Sequence, residues 1–152
     1  MRSPRERRDR RGVTLIELLV VLAAIAVLAA VVGPSRFRNV GDAKASAARS
    51  QVDAYALALG AYRIDNDAYP STEQGLEALR AVPAVGDPPQ RWRGPYVTKV
   101  IVPDPWGRPY RYESPGRVNP DGFDLYTLGR DGVPGGTGED ADVTSWGGPV
   151  PR

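Results

Sequence analysis

The chain has 152 residues, enough for one domain of ordinary size, and its 20 Lys and Arg against 18 Asp and Glu give a formal net charge of +2. Cysteine and histidine are both absent. This composition excludes disulfides, thiolate or imidazole metal sites, and catalytic triads that depend on histidine. Metal ligands are therefore restricted to oxygen atoms, which suit hard cations such as calcium.

The first twelve residues are strongly basic and precede a long apolar run. Arginines stand at positions 2, 5, 7, 8, 10 and 11, and from Val13 to Gly33 only Thr14 and Glu17 are polar. A helix of that length spans the ~30 Å hydrocarbon core of a bilayer, and a basic flank is typical of the cytoplasmic side. The sequence therefore predicts a leader at 1–12 and a transmembrane segment at 13–33. A nucleic-acid interface is disfavoured, because the apolar run follows the arginines at once.

The arginine-rich flank, the small Gly12, the apolar start at Val13 and the acidic Glu17 together resemble the class III signal of type IV pilins and pseudopilins. The resemblance implies that a membrane peptidase cuts between Gly12 and Val13 and methylates the new N-terminus, although the family usually has Phe in place of Val13. An ordinary secretory signal with Arg10-Arg11 is the alternative, and Glu17 inside its apolar core argues against it. An acid in lipid costs about 2.5–3.5 kcal/mol at the centre of a span. We therefore expect Glu17 to serve assembly, by pairing with the amine of Val13 in an adjacent subunit; pairing of the two groups within one subunit is the alternative.

A second helical pattern covers residues 34–66. Gly33-Pro34 predicts a kink or local melting, and a helix end followed by a separate helix is an equally open interpretation. Apolar residues then recur at helical spacing and should pack against the globular part; they are Val52, Tyr55, Ala56, Leu59 and Tyr62. The turn-forming run Asp65-Asn66-Asp67 predicts the end of this helix.

Residues 67–152 predict a loop-rich globular part. Ser71 and Gln74 have the spacing of a capping box and predict a short helix from Thr72 to Arg80. Strand patterns at 110–113 and 123–128 flank turn residues at 119–122, and a third strand is expected at 143–146. Aromatic residues among the prolines of 81–109 are expected to cover the core. The fold class is therefore α+β, with a long N-terminal helix packed on a small antiparallel sheet with long loops.

Residues 62–66 and 69–79, together with the segment Pro-Asp-Pro-Trp-Gly-Arg-Pro-Tyr at 103–110, narrow the resemblance to the protein G pseudopilins of type II secretion. This resemblance implies a non-enzymatic subunit that crosses the bacterial inner membrane once, with its globular part in the periplasm. It would polymerise into a pseudopilus that drives protein export across the outer membrane. Implied partners are further copies of the chain, minor pseudopilins, the prepilin peptidase, the inner-membrane assembly platform and membrane lipid. A type IV pilin of a surface fibre, or a membrane-anchored periplasmic enzyme or binding protein, is the alternative.

The glycine-rich acidic loop at 129–142 is the candidate ligand site, with four carboxylates and five glycines. Composition alone is equally compatible with a solvated acidic loop. The resemblance implies bound calcium (Ca²⁺), held by two backbone carbonyls and three carboxylates: Leu128, Val133, Asp131, Asp140 and Asp142. Glu139 competes with Asp140 and Asp142 for a ligand role, and Gly138 stands where some relatives have Asp.

Overall fold

The structure is a computed structural model that describes residues 14–151, without the side chains of residues 30–39. The chain divides into two units, Met1–Asn39 and Val40–Arg152. The predicted leader at 1–12 lies outside the described residues. The predicted sheet, the short helical segment and the acidic loop all belong to the second unit.

A single long helix, α1, covers Leu15–Asn66. Because α1 continues through Gly33 and Pro34, the interpretation of a helix end followed by a separate helix is wrong. The kink predicted at Pro34 stays a prediction. No helix of the described residues is both long and apolar enough to cross a membrane. The transmembrane segment predicted at 13–33 includes residues that the structure does not describe.

The C-terminal end of α1 lies where the polar run predicts it. Asp67 follows the last helical residue with a left-handed φ of 61°, and its N–H donates to the Arg63 carbonyl at 2.8 Å. Asp and Asn tolerate this backbone conformation better than most residues, so the chain can leave the helix at Asp67.

The predicted apolar stripe on α1 forms the centre of the core. Val52, Tyr55, Leu59 and Tyr62 are buried, whereas Ala56 is half-buried. Residues from the rest of the second unit pack on this stripe, among them Leu76, Leu79, Tyr110, Tyr112, Leu125 and Val143. Trp92, Tyr96 and Trp106 lie partly buried against the same cluster, which confirms their predicted covering role.

The short helix predicted from Thr72 to Arg80 is only partly correct. Ser71 and Gln74 do form the reciprocal bonds of a capping box, since the Gln74 N–H donates to Ser71 Oγ at 3.2 Å and the Ser71 N–H donates to Gln74 Oε1 at 3.0 Å. Gly75 then adopts φ 61°, which no α-helix contains. The helical segment therefore begins after this residue and is a 3₁₀ helix, Leu76–Leu79.

Three short strands form an antiparallel sheet in the order β1-β2-β3: Arg111–Glu113, Asp124–Thr127 and Val143–Thr144. Tyr112 pairs with Leu125, and Thr127 pairs with Val143. The Gly122 N–H donates to the Asn119 carbonyl at 2.9 Å, which confirms the predicted turn between β1 and β2. The three predicted strands are thus confirmed, each slightly shorter than expected.

Candidate functional site

Glu17 lies in the first turn of α1 and is the one residue of the predicted processing and assembly site that falls within the described residues. Its N–H donates to Thr14 Oγ1 at 3.3 Å, and the Leu18 N–H donates to the Thr14 carbonyl at 3.2 Å. Thr14 therefore caps the helix, a role that the Thr-x-x-Glu spacing could have indicated. The side chain of Glu17 is exposed in the single chain. Gly12 and Val13 lie outside the described residues.

Two backbone segments of the acidic loop approach each other closely, and glycine permits this approach. The Arg130 N–H donates to the Glu139 carbonyl at 2.8 Å. A Cβ at the neighbouring Gly129 would lie 2.7 Å from the Ala141 carbonyl oxygen, and Gly129 has a φ of 62°. Only glycine both fits the space at this position and adopts this backbone conformation without strain. The loop is thus closed at its base by backbone contacts.

Two of the predicted ligand carboxylates accept hydrogen bonds from loop amides. Asp131 Oδ1 accepts from the Val133 N–H at 3.0 Å. Asp142 Oδ2 accepts from the N–H groups of Gly135 and Val150 at 2.8 and 2.9 Å. The second oxygen of this side chain, Asp142 Oδ1, is buried and has no hydrogen-bond partner among the described residues. A buried carboxylate oxygen of this kind is a suitable ligand for a cation.

The third predicted carboxylate, Asp140, faces an arginine. Arg130 Nε and Nη2 lie 2.8 and 2.9 Å from the two carboxylate oxygens of Asp140, and Arg130 Nη1 lies 3.0 Å from Glu139 Oε2. The hydrogen bonds to Asp140 raise the pKa of the Arg130 guanidinium above its ordinary value. Asp131, Asp140 and Asp142 are therefore in one loop but do not converge. Within residues 14–151, no three acidic side chains form a group that could hold a metal ion.

Arg108 and Asp104 support the loop from outside, and neither residue has a role predicted from the sequence. The Arg108 guanidinium donates to the carbonyls of Gly129 and Arg130. Asp104 is buried, and its Oδ1 accepts from the N–H groups of Trp106 and Arg108. An aspartate followed three residues later by a glycine, as in Asp104 and Gly107, is typical of a tight turn. This spacing is the sequence signal that could have predicted the turn.

The acidic loop also contacts the C-terminal half of α1. Gly41 is buried, and a Cβ at this position would overlap the Glu139 side chain, with the Glu139 Cδ at 2.5 Å. Arg49, further along α1, lines a small cavity of about 210 Å³ together with Gly135, Gly136 and Asp142. No local sequence pattern indicates this contact of Gly41, because Glu139 is remote from it in sequence.

Comparison with known proteins identifies the family to which this chain belongs. Residues 36–146 match the family described as type II secretion system (T2SS), protein G. The chain belongs to this family. Residues 7–33 match the prokaryotic N-terminal methylation motif, so the second match covers the predicted cleavage position and Glu17.

Curated relatives in the protein G family match over nearly the whole chain. The type II secretion system core protein G of Pseudomonas aeruginosa is 45% identical over 141 residues, which cover 93% of this chain and 98% of the relative. The protein of the same name from Vibrio cholerae is 40% identical over 139 residues, with 91% and 93% covered. The resemblance stated from sequence is therefore confirmed, and neither a surface pilin nor a periplasmic binding protein is favoured.

The solved structures support the same family and confirm the fold class. The crystal structure of the major pseudopilin from the type 2 secretion system of enterohaemorrhagic Escherichia coli superposes with a TM-score of 0.60 at 37% identity. The superposition covers 71% of this chain and 87% of that chain. The α+β arrangement of a long helix with a small antiparallel sheet is therefore the fold of a protein G pseudopilin.

Proposed function

We propose that the chain is a structural subunit that polymerises into the periplasmic pseudopilus of a type II secretion system and drives protein export across the outer membrane. The observation that carries this proposal is the protein G match over residues 36–146, with the methylation motif directly before it. We assign no catalytic step to the chain. Further copies of the chain, minor pseudopilins, the prepilin peptidase and an inner-membrane assembly platform are the proposed partners.

The proposed location is the inner membrane, with residues 13–33 as a single span and the globular part in the periplasm. In this proposal the prepilin peptidase cuts between Gly12 and Val13, and the amine of Val13 becomes methylated. N-terminal sequencing and mass analysis of the chain extracted from membranes test the processing. A methylated start at Val13 is expected. A start at Met1, or after Ala26 or Gly33, would contradict the proposal.

A deletion strain tests the function itself. Without this gene, the exported proteins should accumulate in the periplasm, and a plasmid copy should restore their secretion. Full secretion by the deletion strain would contradict the proposed function. Loss of surface fibres with unchanged secretion would contradict it equally, because that result identifies a type IV pilin.

Assembly in this proposal depends on Glu17. Its exposed carboxylate becomes costly when apolar helices pack side by side around it, and the positive amine of Val13 in the adjacent subunit can neutralise it. Thr14 Oγ1 accepts the Glu17 N–H in the first turn of α1, so a side-chain cap for this turn comes from Thr14. Pairing between subunits would then fix the register of neighbouring helices.

We also propose that the acidic loop binds calcium through the carbonyls of Leu128 and Val133 and the carboxylates of Asp131, Asp140 and Asp142. The buried, unpartnered Oδ1 of Asp142 supports this proposal, because a hard cation would satisfy it. The Leu128 carbonyl accepts one N–H, from Gly132 at 3.2 Å, and a carbonyl oxygen has a second lone pair for an ion. Calcium would supply the attraction that draws these oxygens together.

Thermal unfolding of the full chain in detergent tests the calcium proposal. At a hundredfold excess over Kd, calcium should stabilise the folded state by ~2.7 kcal/mol relative to chelator. Asp131→Ala should remove most of this gain, because Asp131 supplies a charged ligand. Asp121→Ala, in the exposed turn between β1 and β2, is the matched control and should keep the full gain. Equal melting temperatures of the wild type in calcium and in chelator would contradict the site.

A further inference from the structure

The feature that stands out in the loop is the position of the Arg130 guanidinium. Its Nε and Nη2 contact both oxygens of Asp140 at 2.8 and 2.9 Å, and its Nη1 contacts Glu139 at 3.0 Å. A two-point contact of this kind is the most favourable geometry between arginine and a carboxylate. The guanidinium thus uses both oxygens of one of the carboxylates that the proposed calcium ion would need.

The backbone path of the loop does not depend on the Arg130 side chain. The loop base is closed by the backbone bond between the Arg130 N–H and the Glu139 carbonyl, which any residue except proline can form at position 130. Arg108 holds the carbonyls of Gly129 and Arg130 from outside the loop. The Asp140 N–H donates to the Thr137 carbonyl at 3.2 Å. Removing the guanidinium alone should therefore leave the path of the loop intact.

We propose that Arg130 is a tethered cation that competes with calcium for Asp140 and thereby lowers the calcium affinity of this loop. The inference rests on the proposed calcium site. While the guanidinium contacts both oxygens of Asp140, an ion can use only the remaining lone pairs of these oxygens, so calcium competes with the guanidinium for this carboxylate. The positive guanidinium and the divalent ion also repel each other across the loop. In the absence of calcium, the same contact offsets the repulsion between Glu139 and Asp140.

Arg130→Gln tests the competition, with Arg117→Gln as the matched control. Arg117 pairs with Glu113 at 3.1 Å outside the loop, and its substitution changes the net charge by the same amount. Calcium binding to the full chain in detergent is measured by titration calorimetry, and stability in chelator by thermal unfolding. Arg130→Gln should bind calcium roughly five- to tenfold more tightly than the wild type and should melt at a lower temperature in chelator. Arg117→Gln should match the wild-type Kd.

Arg130→Lys separates the two-point contact from the charge. Lysine keeps the positive charge but lacks the planar fork, so its calcium affinity should lie between those of the wild type and Arg130→Gln. Tighter binding after removal of a side chain is a result that mere structural damage would not produce.

Equal or weaker calcium binding by Arg130→Gln, with clear binding by the wild type, would overturn the competition and leave the calcium site standing. Absence of calcium binding in all four proteins would overturn the calcium site and this inference together. Neither result bears on the proposed role in secretion, which is tested separately by the deletion strain.

Discussion

At the residue scale, Asp104 is a side chain that joins separate segments of the second unit. Its Oδ1 accepts from the Trp106 and Arg108 N–H groups at 3.0 and 2.8 Å, and its Oδ2 accepts from Thr127 Oγ1 in β2. The residue is only 4% exposed. Asp104 therefore stabilises the turn that positions Arg108 against the acidic loop, and it connects this turn to the sheet.

Asp104→Ala should lower the free energy of unfolding by about 3 kcal/mol, because it leaves the buried Thr127 hydroxyl and two partly buried backbone N–H groups without an acceptor. Chemical denaturation of the full chain in detergent measures this change. The control is Asp121→Ala, which removes an exposed acid from a turn and should change the free energy of unfolding by less than about 0.5 kcal/mol. Equal stability of the two variants would show that Asp104 does not hold the turn.

Tyr112 makes the fold sensitive to alkaline pH. Burial raises the pKa of its phenol, and its hydroxyl donates to the Pro70 carbonyl at 2.7 Å. Burial likewise raises the pKa of Tyr110 and of Tyr62. In the unfolded chain a tyrosine loses its proton near pH 10, whereas the folded chain retains it to higher pH. The resulting stabilisation is fully present below about pH 10 and is lost as pH rises toward the folded-state pKa.

Each such tyrosine should reduce the free energy of unfolding by about 1.4 kcal/mol per pH unit above pH 10. Tyr112→Phe removes one titrating phenol and should make this decline less steep. At pH 7 the same variant should lose about 1 kcal/mol, because the hydrogen bond to Pro70 is gone. Denaturant titrations at about pH 7, 10 and 11 measure both effects. Parallel pH dependence of the variant and the wild type would contradict the assignment to Tyr112.

At the scale of elements, two glycines on α1 have opposite surroundings. Gly60 faces open space, since no atom of the described residues beyond its chain neighbours and the adjacent helix backbone lies within 4 Å of the point where a Cβ would stand. At Gly41 the Glu139 side chain already occupies that point. A glycine inside a helix costs about 0.5–1 kcal/mol relative to alanine when nothing else requires it. Gly60 is therefore a weak point of the helix, and Gly41 is a contact point for the acidic loop.

Gly60→Ala should raise the free energy of unfolding by about 0.5–1 kcal/mol, since it adds helix propensity in open space. Gly41→Ala should lower it by about 1 kcal/mol, because Glu139 must move and the loop must shift with it. The two variants carry the same chemical change and control for each other in thermal unfolding. A gain of stability in both variants would contradict the contact between α1 and the loop.

The short elements illustrate what sequence patterns could and could not predict. Local patterns found the core stripe of α1, the three strands and the capping bonds of Ser71 and Gln74, because each depends on neighbours in sequence. The same patterns extended the helix at Thr72–Arg80 too far, since they do not reveal the left-handed φ of Gly75. The contacts of Arg130 with Asp140 and of Gly41 with Glu139 depend on how distant segments meet, and periodicity carries no such information.

At the scale of the whole molecule, the first turn of α1 and the acidic loop belong to different units of the chain. The methylation motif and Glu17 lie in the first unit, and the protein G match lies almost entirely in the second. We expect the first unit to mediate assembly and the second unit to form the periplasmic surface of the fibre. Damage to Glu17 should therefore stop assembly without unfolding the globular part.

Secretion by a strain that carries only Glu17→Ala tests the proposed role of this carboxylate in assembly, with processing checked on the same membranes. Loss of one member of a buried charge pair costs about 3–5 kcal/mol, enough to prevent subunit packing. We expect normal cleavage after Gly12 and normal membrane insertion, but no secretion, while the exposed-surface control Glu73→Ala secretes like the wild type. Normal secretion by Glu17→Ala would contradict the account, and so would loss of cleavage, which would assign Glu17 to peptidase recognition.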